Sequence, residues 1–281
     1  MNQLTESFSR ARAENRALLI GYLPAGFPDF ESSLLAIETL VTSGVDVVEI
    51  GLPYSDPLMD GPVIQRAVEM ALANGITTSK VLELAAEATK FGAPILVMSY
   101  WNPIERFGLE RFARTLSAGG GVGVITPDLA PEEATPWVDT TNEFGLSRIF
   151  LVAPTTTPNR VAEIASVSNG FIYAASLMGV TGVRDQVASR PRTDAGQSDR
   201  AFDLVRRIKE VSDTPVAVGI GISSAQQVKA TAAYADGVIV GSLLVKTIAE
   251  AIDSNSGDFS PAVRSLGPLV AELAAATKGT T

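Results

Sequence analysis

VDVVEIGLPYSDPLMDGPVIQ, residues 45–65, runs from a β-branched stretch through a Pro/Gly-rich loop into a helix start. Period-two alternation puts Val45, Val47 and Glu49 on one face of the strand and Asp46, Val48 and Ile50 on the other. Pro62 suits the first turn of a helix, because its missing N–H is one that no helix would bond there. That helix runs to Asn74, and Gly75 closes it. A strand, a loop and a covering helix in about 30 residues form one β/α unit.

The same unit recurs along the chain. Strands are expected at 17–22, 45–50, 94–99, 122–126, 147–152, 171–175, 216–219 and 237–240. Most are near-continuous apolar runs, as parallel strands covered on both faces require. Helical patterns fill most gaps: 29–43 with Asp29 as N-cap and Gly44 as terminator, 62–74, 78–91, 109–118, 132–144, 159–167, 200–211 and 224–233. Further helices fit 244–251 and 261–277, and an extra one precedes the first strand near 4–14. Eight β/α units in 281 residues suit a closed (β/α)₈ TIM barrel with an extra N-terminal helix better than an open doubly wound sheet. No linker or compositional break divides residues 1–281, so one domain is expected. The single polar, irregular stretch is 179–199, after the sixth strand, where a long loop is functional or disordered.

Composition removes whole reaction classes. There is no Cys, which excludes disulfides, thiolate nucleophiles and Cys-ligated metals, and no His, which excludes Ser-His-Asp triads and His-held metal. The net charge of −9 and pI near 4.7 argue against a nucleic-acid binder. An anionic ligand must be held by local backbone donors against that field. No run approaches a membrane span, and the N-terminus lacks the apolar core of a signal peptide. A soluble, cytoplasmic protein with no membrane contact is expected.

The remaining chemistry concentrates at strand ends, where barrels of this kind carry their active sites. Glu49, facing inward with Val45 and Val47, is costly to desolvate, and its pKa should rise into the general acid–base range. Asp60 follows eleven positions later, in the loop before Gly61-Pro62. It reads either as a second catalytic carboxylate or as a helix cap, and Asp56 in the same loop has the same alternative. Gly219, Gly221, Gly241 and Ser242, after strands seven and eight, form a candidate phosphate cradle of backbone N–H groups. The alternative there is ordinary turn glycines. No GxxxxGK[ST] loop occurs, and every lysine falls on or beside an expected helix, so a Schiff-base lysine on a strand is absent. A carboxylate pair with a phosphate site points to acid–base chemistry on a phosphorylated small molecule.

These segments together resemble the tryptophan synthase α subunit family. Residues 45–65 carry the likeness most strongly, joined by GYLPAGFPD (21–29), SYWNP (99–103), PDLAPEE (127–133), YAASLMGVTG (173–182), VGIGIS (218–223) and GVIVGS (237–242), in the family's order across nearly the whole chain. The resemblance implies a lyase of tryptophan biosynthesis that cleaves indole-3-glycerol phosphate to indole and glyceraldehyde 3-phosphate. It implies no cofactor in this chain, and a partner β subunit carrying pyridoxal phosphate in an α₂β₂ heterotetramer. It assigns acid–base duty to Glu49 and the indole N–H to Asp60. By the same resemblance Tyr22, Tyr100, Ile125, Tyr173 and Thr181 bind substrate, while Gly182, Gly219, Gly221, Gly241 and Ser242 hold its phosphate. Pro24 and Ala130 depart from the family's usual residues, and the segment after Arg184 is longer and more charged than usual.

The inventory suits the reaction. A retro-aldol cleavage needs an electron sink, and indole supplies its own once C3 is protonated. Two rivals remain: a non-catalytic regulatory subunit that binds ligand and activates a β partner, and another phosphosugar enzyme on the same barrel. The latter wants a basic strand-end residue that the sequence lacks.

Overall fold

Eight parallel strands close on one another in sequence order. The structure, a computed structural model, describes residues 2–175, 195–219, 221–254 and 259–278. Helix α1 (Gln3–Ala13) precedes β1 (Leu18–Pro24), and α2 (Phe30–Thr42) leads to β2 (Val47–Gly51). Two helices, α3 (Pro62–Ala73) and α4 (Thr78–Ala88), separate β2 from β3 (Ile95–Met98). Then come α5 (Trp101–Phe107), α6 (Leu109–Ala118), β4 (Gly123–Thr126), α7 (Thr135–Glu143) and β5 (Ser147–Val152). The circuit ends with α8 (Pro158–Val167), β6 (Ile172–Ala175), α9 (Ala195–Lys209), β7 (Val216–Gly219), α10 (Ala225–Ala232), β8 (Gly237–Val240), α11 (Ser242–Ser254) and α12 (Ser260–Ala276). The chain is a (β/α)₈ TIM barrel with an added N-terminal helix.

All eight expected strands are present. Local signals set the helix ends: the Asp29 side chain accepts the Ser32 N–H at 2.8 Å, and Gly44 and Gly75 turn the chain with φ of 113° and 77°. Three expectations need correction. The stretch 100–108 holds a helix, α5, that the sequence pattern did not suggest. The expected helix 132–144 is a 3₁₀ turn at Pro131–Glu133 followed by α7, because Pro136 near the start of α7 has no N–H to carry one helix through. Of the irregular stretch expected over 179–199, residues 195–199 belong to α9, and 179–194 lie outside the described residues.

The barrel is filled from inside by period-two residues. Leu18, Ile20, Val47, Leu96, Ile125, Ile149, Phe171, Ala217 and Ile239 form one inner apolar cluster. Leu4, Phe8 and Ala11 of α1 join it and close the N-terminal end, with the Phe8 and Phe171 rings 5.7 Å apart. The opposite faces of the strands pack outward against the helices in a second, larger cluster. Among the described residues no helix is long and apolar enough to cross a membrane.

Candidate active site

Period two carries Glu49 to the top of the inner face of β2, one strand over from Tyr22, with which it is in register. Its side chain is 1% exposed, and its Oε2 has no hydrogen-bond partner. Burial without a compensating donor pushes the Glu49 pKa up to about 8. At neutral pH this carboxyl keeps its proton.

Asp60 reaches the same space from the β2–α3 loop. It does not cap α3: the N-cap is Gly61, with no side-chain bond. Instead Gln65 Nε2 holds the Asp60 carbonyl at 2.8 Å, and the carboxylate is hydrogen-bonded by Tyr100. The Tyr100 oxygen also accepts the Met59 N–H at 2.9 Å. Burial raises the Asp60 pKa to about 6, and the Tyr100 hydrogen bond pulls the other way. The pair is therefore split, Glu49 mostly protonated and Asp60 mostly ionised at pH 7, which is how two carboxyls take different duties.

Both carboxyls line a pocket that opens to solvent. Tyr22, Tyr173, Gly221, Gly241 and Ser242 share its wall, with apolar contributions from Met59, Ile64, Met98, Leu151, Ile222 and Ile239. Tyr22 and Tyr173 flank the inner surface near Glu49, and burial drives both phenols far above their ordinary pKa. Glycines make room for these rings. A Cβ on Gly51 would collide with the Tyr22 hydroxyl, one on Gly219 with the Tyr173 hydroxyl, and one on Gly241 would stand 3.0 Å from Tyr22 Cδ1.

The far end of the cavity is made of backbone. Gly221 has φ of 89°, which glycine adopts without strain. Gly241 stands just before α11 and its carbonyl accepts the Val245 N–H at 3.1 Å, so the first N–H groups of α11 have no helical acceptor. A phosphate there meets backbone donors and the positive end of a thirteen-residue helix.

The structure thus brings Glu49, Asp60, Tyr22, Tyr173, Gly221, Gly241 and Ser242 to one cavity. Tyr100 lies behind Asp60 rather than on the wall. Ile125 is buried in the inner apolar cluster, and Gly219 lies beneath the Tyr173 ring. Thr181 and Gly182 fall outside the described residues. The sequence reading missed the apolar wall. Met98, Leu151 and Ile239 are inward residues near their strand ends, and the period-two count that placed Glu49 would have found them.

Known proteins share this arrangement's sequence and fold. The family profile of the tryptophan synthase alpha chain matches residues 8–272. The tryptophan synthase alpha chain of Mycobacterium marinum is 50% identical over 277 residues, covering 99% of this chain and 95% of that one. That of Thermobifida fusca is 47% identical over 278 residues, covering 99% and 98%. Among solved structures, Mycobacterium tuberculosis tryptophan synthase superposes with a TM-score of 0.88 at 46% identity, over 99% of each chain. The alpha subunit from Legionella pneumophila gives 0.85 at 33% identity, over 99% and 98%. With the barrel, the cavity at its strand ends and these matches in agreement, the chain belongs to the tryptophan synthase alpha chain family.

Proposed function

We infer that this chain is a lyase of tryptophan biosynthesis that splits indole-3-glycerol phosphate into indole and glyceraldehyde 3-phosphate, with Glu49 and Asp60 dividing the proton work. The observation that carries the assignment of roles is the split carboxyl pair: Glu49 buried with its Oε2 unbonded and a pKa of about 8, Asp60 at about 6, on one cavity wall. The phosphate sits at the Gly221, Gly241 and Ser242 end, supported by Gly219 and by Gly182. The indole lies against Tyr22 and the apolar wall, above Ile125.

Glu49 delivers its proton to C3 of the indole. The ring becomes an indolenine, whose positive N1–H is met by the ionised Asp60. The C3–C1′ bond then breaks, its electrons returning to the ring, and the C1′ hydroxyl loses its proton to the Glu49 carboxylate. One proton is given and one is taken, so Glu49 ends as it began. Tyr173 contacts the glycerol chain, and Thr181 is assigned to substrate binding. A positioned acid–base group contributes roughly 10²–10⁴-fold.

The whole chain acts as one domain in the cytoplasm. A β subunit takes the indole within an α₂β₂ assembly. Pyridoxal phosphate belongs to that partner, and this half-reaction needs no cofactor. The regulatory-subunit reading has nothing to favour it, since a passive binder gains nothing from a desolvated, unpaired carboxyl. The test is indole release by the purified chain, with substrate affinity measured in parallel. Glu49→Gln should bind substrate with little change and lose at least a hundredfold in turnover. Turnover within about tenfold of wild type would remove Glu49 from the proton-transfer step.

A further inference from the structure

The Asp60 carboxylate is aimed by a neighbour rather than by its own loop. Gln65 fixes only its carbonyl, whereas the carboxylate depends on the Tyr100 hydroxyl, which also grips the Met59 N–H. Where Tyr100 stands therefore decides where Asp60 points. Tyr100 is the N-cap residue of α5, a helix of seven residues, and makes no side-chain cap for it. Ser99 Oγ donates to the Tyr100 carbonyl at 2.8 Å. The missing cap arrives from the β4 side of the barrel, 27 positions along the chain: Asp128 Oδ1 accepts the Trp101 N–H at 2.9 Å. Its negative charge also faces the positive end of α5.

We propose that Asp128 is a positioning residue for the cleavage: by capping α5 it fixes Tyr100, and through the Tyr100 hydroxyl it fixes the Asp60 carboxylate against the indole nitrogen. Asp128 is not among the residues that line the cavity. The inference rests on the role given above to Asp60 and extends it by two links. Without Asp128 the Trp101 N–H loses its acceptor and the start of a very short helix frays. The Tyr100 hydroxyl then loosens from Met59 and Asp60 together. Asp60 loses its aim, and it also loses the hydrogen bond that favours its ionised form. The other titratable groups facing Asp60, Glu49 from β2 and Tyr22 from β1, make no bond to Asp128 and remain as they are.

Indole release measured across about pH 5–9 for Asp128→Ala, Asp128→Asn, Tyr100→Phe and the Asp128→Ala/Tyr100→Phe double variant tests this. Asp128→Ala should lower kcat roughly tenfold with KM nearly constant, and should move the acid limb of the profile to higher pH. Asp128→Asn keeps an acceptor oxygen and should recover most of the rate. The double variant should be no slower than Tyr100→Phe alone, because both changes cut one chain of contacts. Rate losses that multiply in the double variant, or an acid limb that stays at its wild-type position, overturn the proposal. Should the alanine variant fail to fold, Asp128→Ser, with an oxygen too short to reach Trp101, carries the same comparison. Asp60→Asn separates the two levels. If it leaves indole release intact, the role of Asp60 fails. If it silences the chain while Asp128→Ala does not, only the positioning role fails.

Discussion

At the N-terminal end of the barrel Asp46 accepts from the two terminal Arg16 guanidinium nitrogens at 2.8 Å and from the Leu19 N–H at 2.9 Å. Asp236, before β8, accepts the Val216 N–H at 2.9 Å and lies 3.1 Å from Lys209. At the C-terminal end Glu49 and Asp60 have no cation within ion-pair distance among the described residues, and Glu49 leaves one oxygen unbonded. The same chemical group serves opposite ends by opposite environments. Cations and strand N–H groups make the lower carboxylates ties between strands. Burial with few donors turns the upper ones into groups that exchange protons near neutrality. Stability is given up at the upper end for chemistry, as sites commonly do.

The largest measurable sign of that difference should be an inverted stability–pH relation at Glu49. Unfolded, it ionises near its ordinary 4.5, and in the fold near about 8. Between these values the native state binds more protons than the unfolded state, so the contribution falls as pH rises and levels off above about 8. Glu49→Gln removes this slope. It should match wild type near pH 4 and be more stable by something on the order of 3–5 kcal/mol near pH 9. Urea unfolding of both proteins at the two pH values decides, and parallel stabilities would mean that Glu49 is solvated in solution.

Breaking the lower pair should do the reverse. Asp46→Ala leaves the partly buried Arg16 guanidinium with only Glu14 and the Ala17 carbonyl, and orphans the Leu19 N–H, for a loss of about 1–3 kcal/mol. The folded fraction should keep wild-type kcat, because Arg16 and Asp46 lie at the far end from the cavity. A fall in kcat at constant folded fraction would show that the two ends are coupled, against the separation described above.

The rate profile isolates the upper pair in another way. Glu49 works from its protonated form and Asp60 from its ionised form, so kcat/KM should rise through about 6 and fall through about 8. Asp46→Asn should leave both limbs in place. A profile flat across that interval would remove the split pair as the basis of the mechanism.

Much of this was legible in the sequence because it is local. Period two turned Glu49 inward, and Asp29, Gly44, Pro62 and Gly75 marked helix ends through bonds within a few residues. What escaped notice is held by distant partners. The helix α5 has Pro103 within its first turns and takes its cap from Asp128, so no pattern in 101–107 announces it. The choice between cap and catalytic carboxylate at Asp60 turned on Tyr100, which the chain brings from forty positions away. The glycines after β2, β7 and β8 read as turn or phosphate residues. That Gly51, Gly219 and Gly241 also leave space for two tyrosine rings depends on neighbouring strands.

That double duty governs how the phosphate end can be probed, where the smallest effect is expected. Gly241→Val crowds Tyr22 as well as any anion, and Gly219→Ala drives into Tyr173, so either change disturbs the wall around Glu49. Ser242 is free of this difficulty. It lines the cavity at the first turn of α11, and its hydroxyl adds one donor to the backbone N–H groups there. A hydrogen bond to a charged group is worth about 1.5–3 kcal/mol, and the remaining donors and water recover part of that. Ser242→Ala should therefore weaken glyceraldehyde 3-phosphate binding about three- to tenfold and raise KM similarly, with kcat nearly unchanged. Titration of the free chain with glyceraldehyde 3-phosphate, and with glyceraldehyde as a control lacking the anion, measures it. Weakening confined to the phosphorylated compound keeps the anion at α11. Unchanged affinity for both, or an equal loss for both, would move the phosphate elsewhere on the rim.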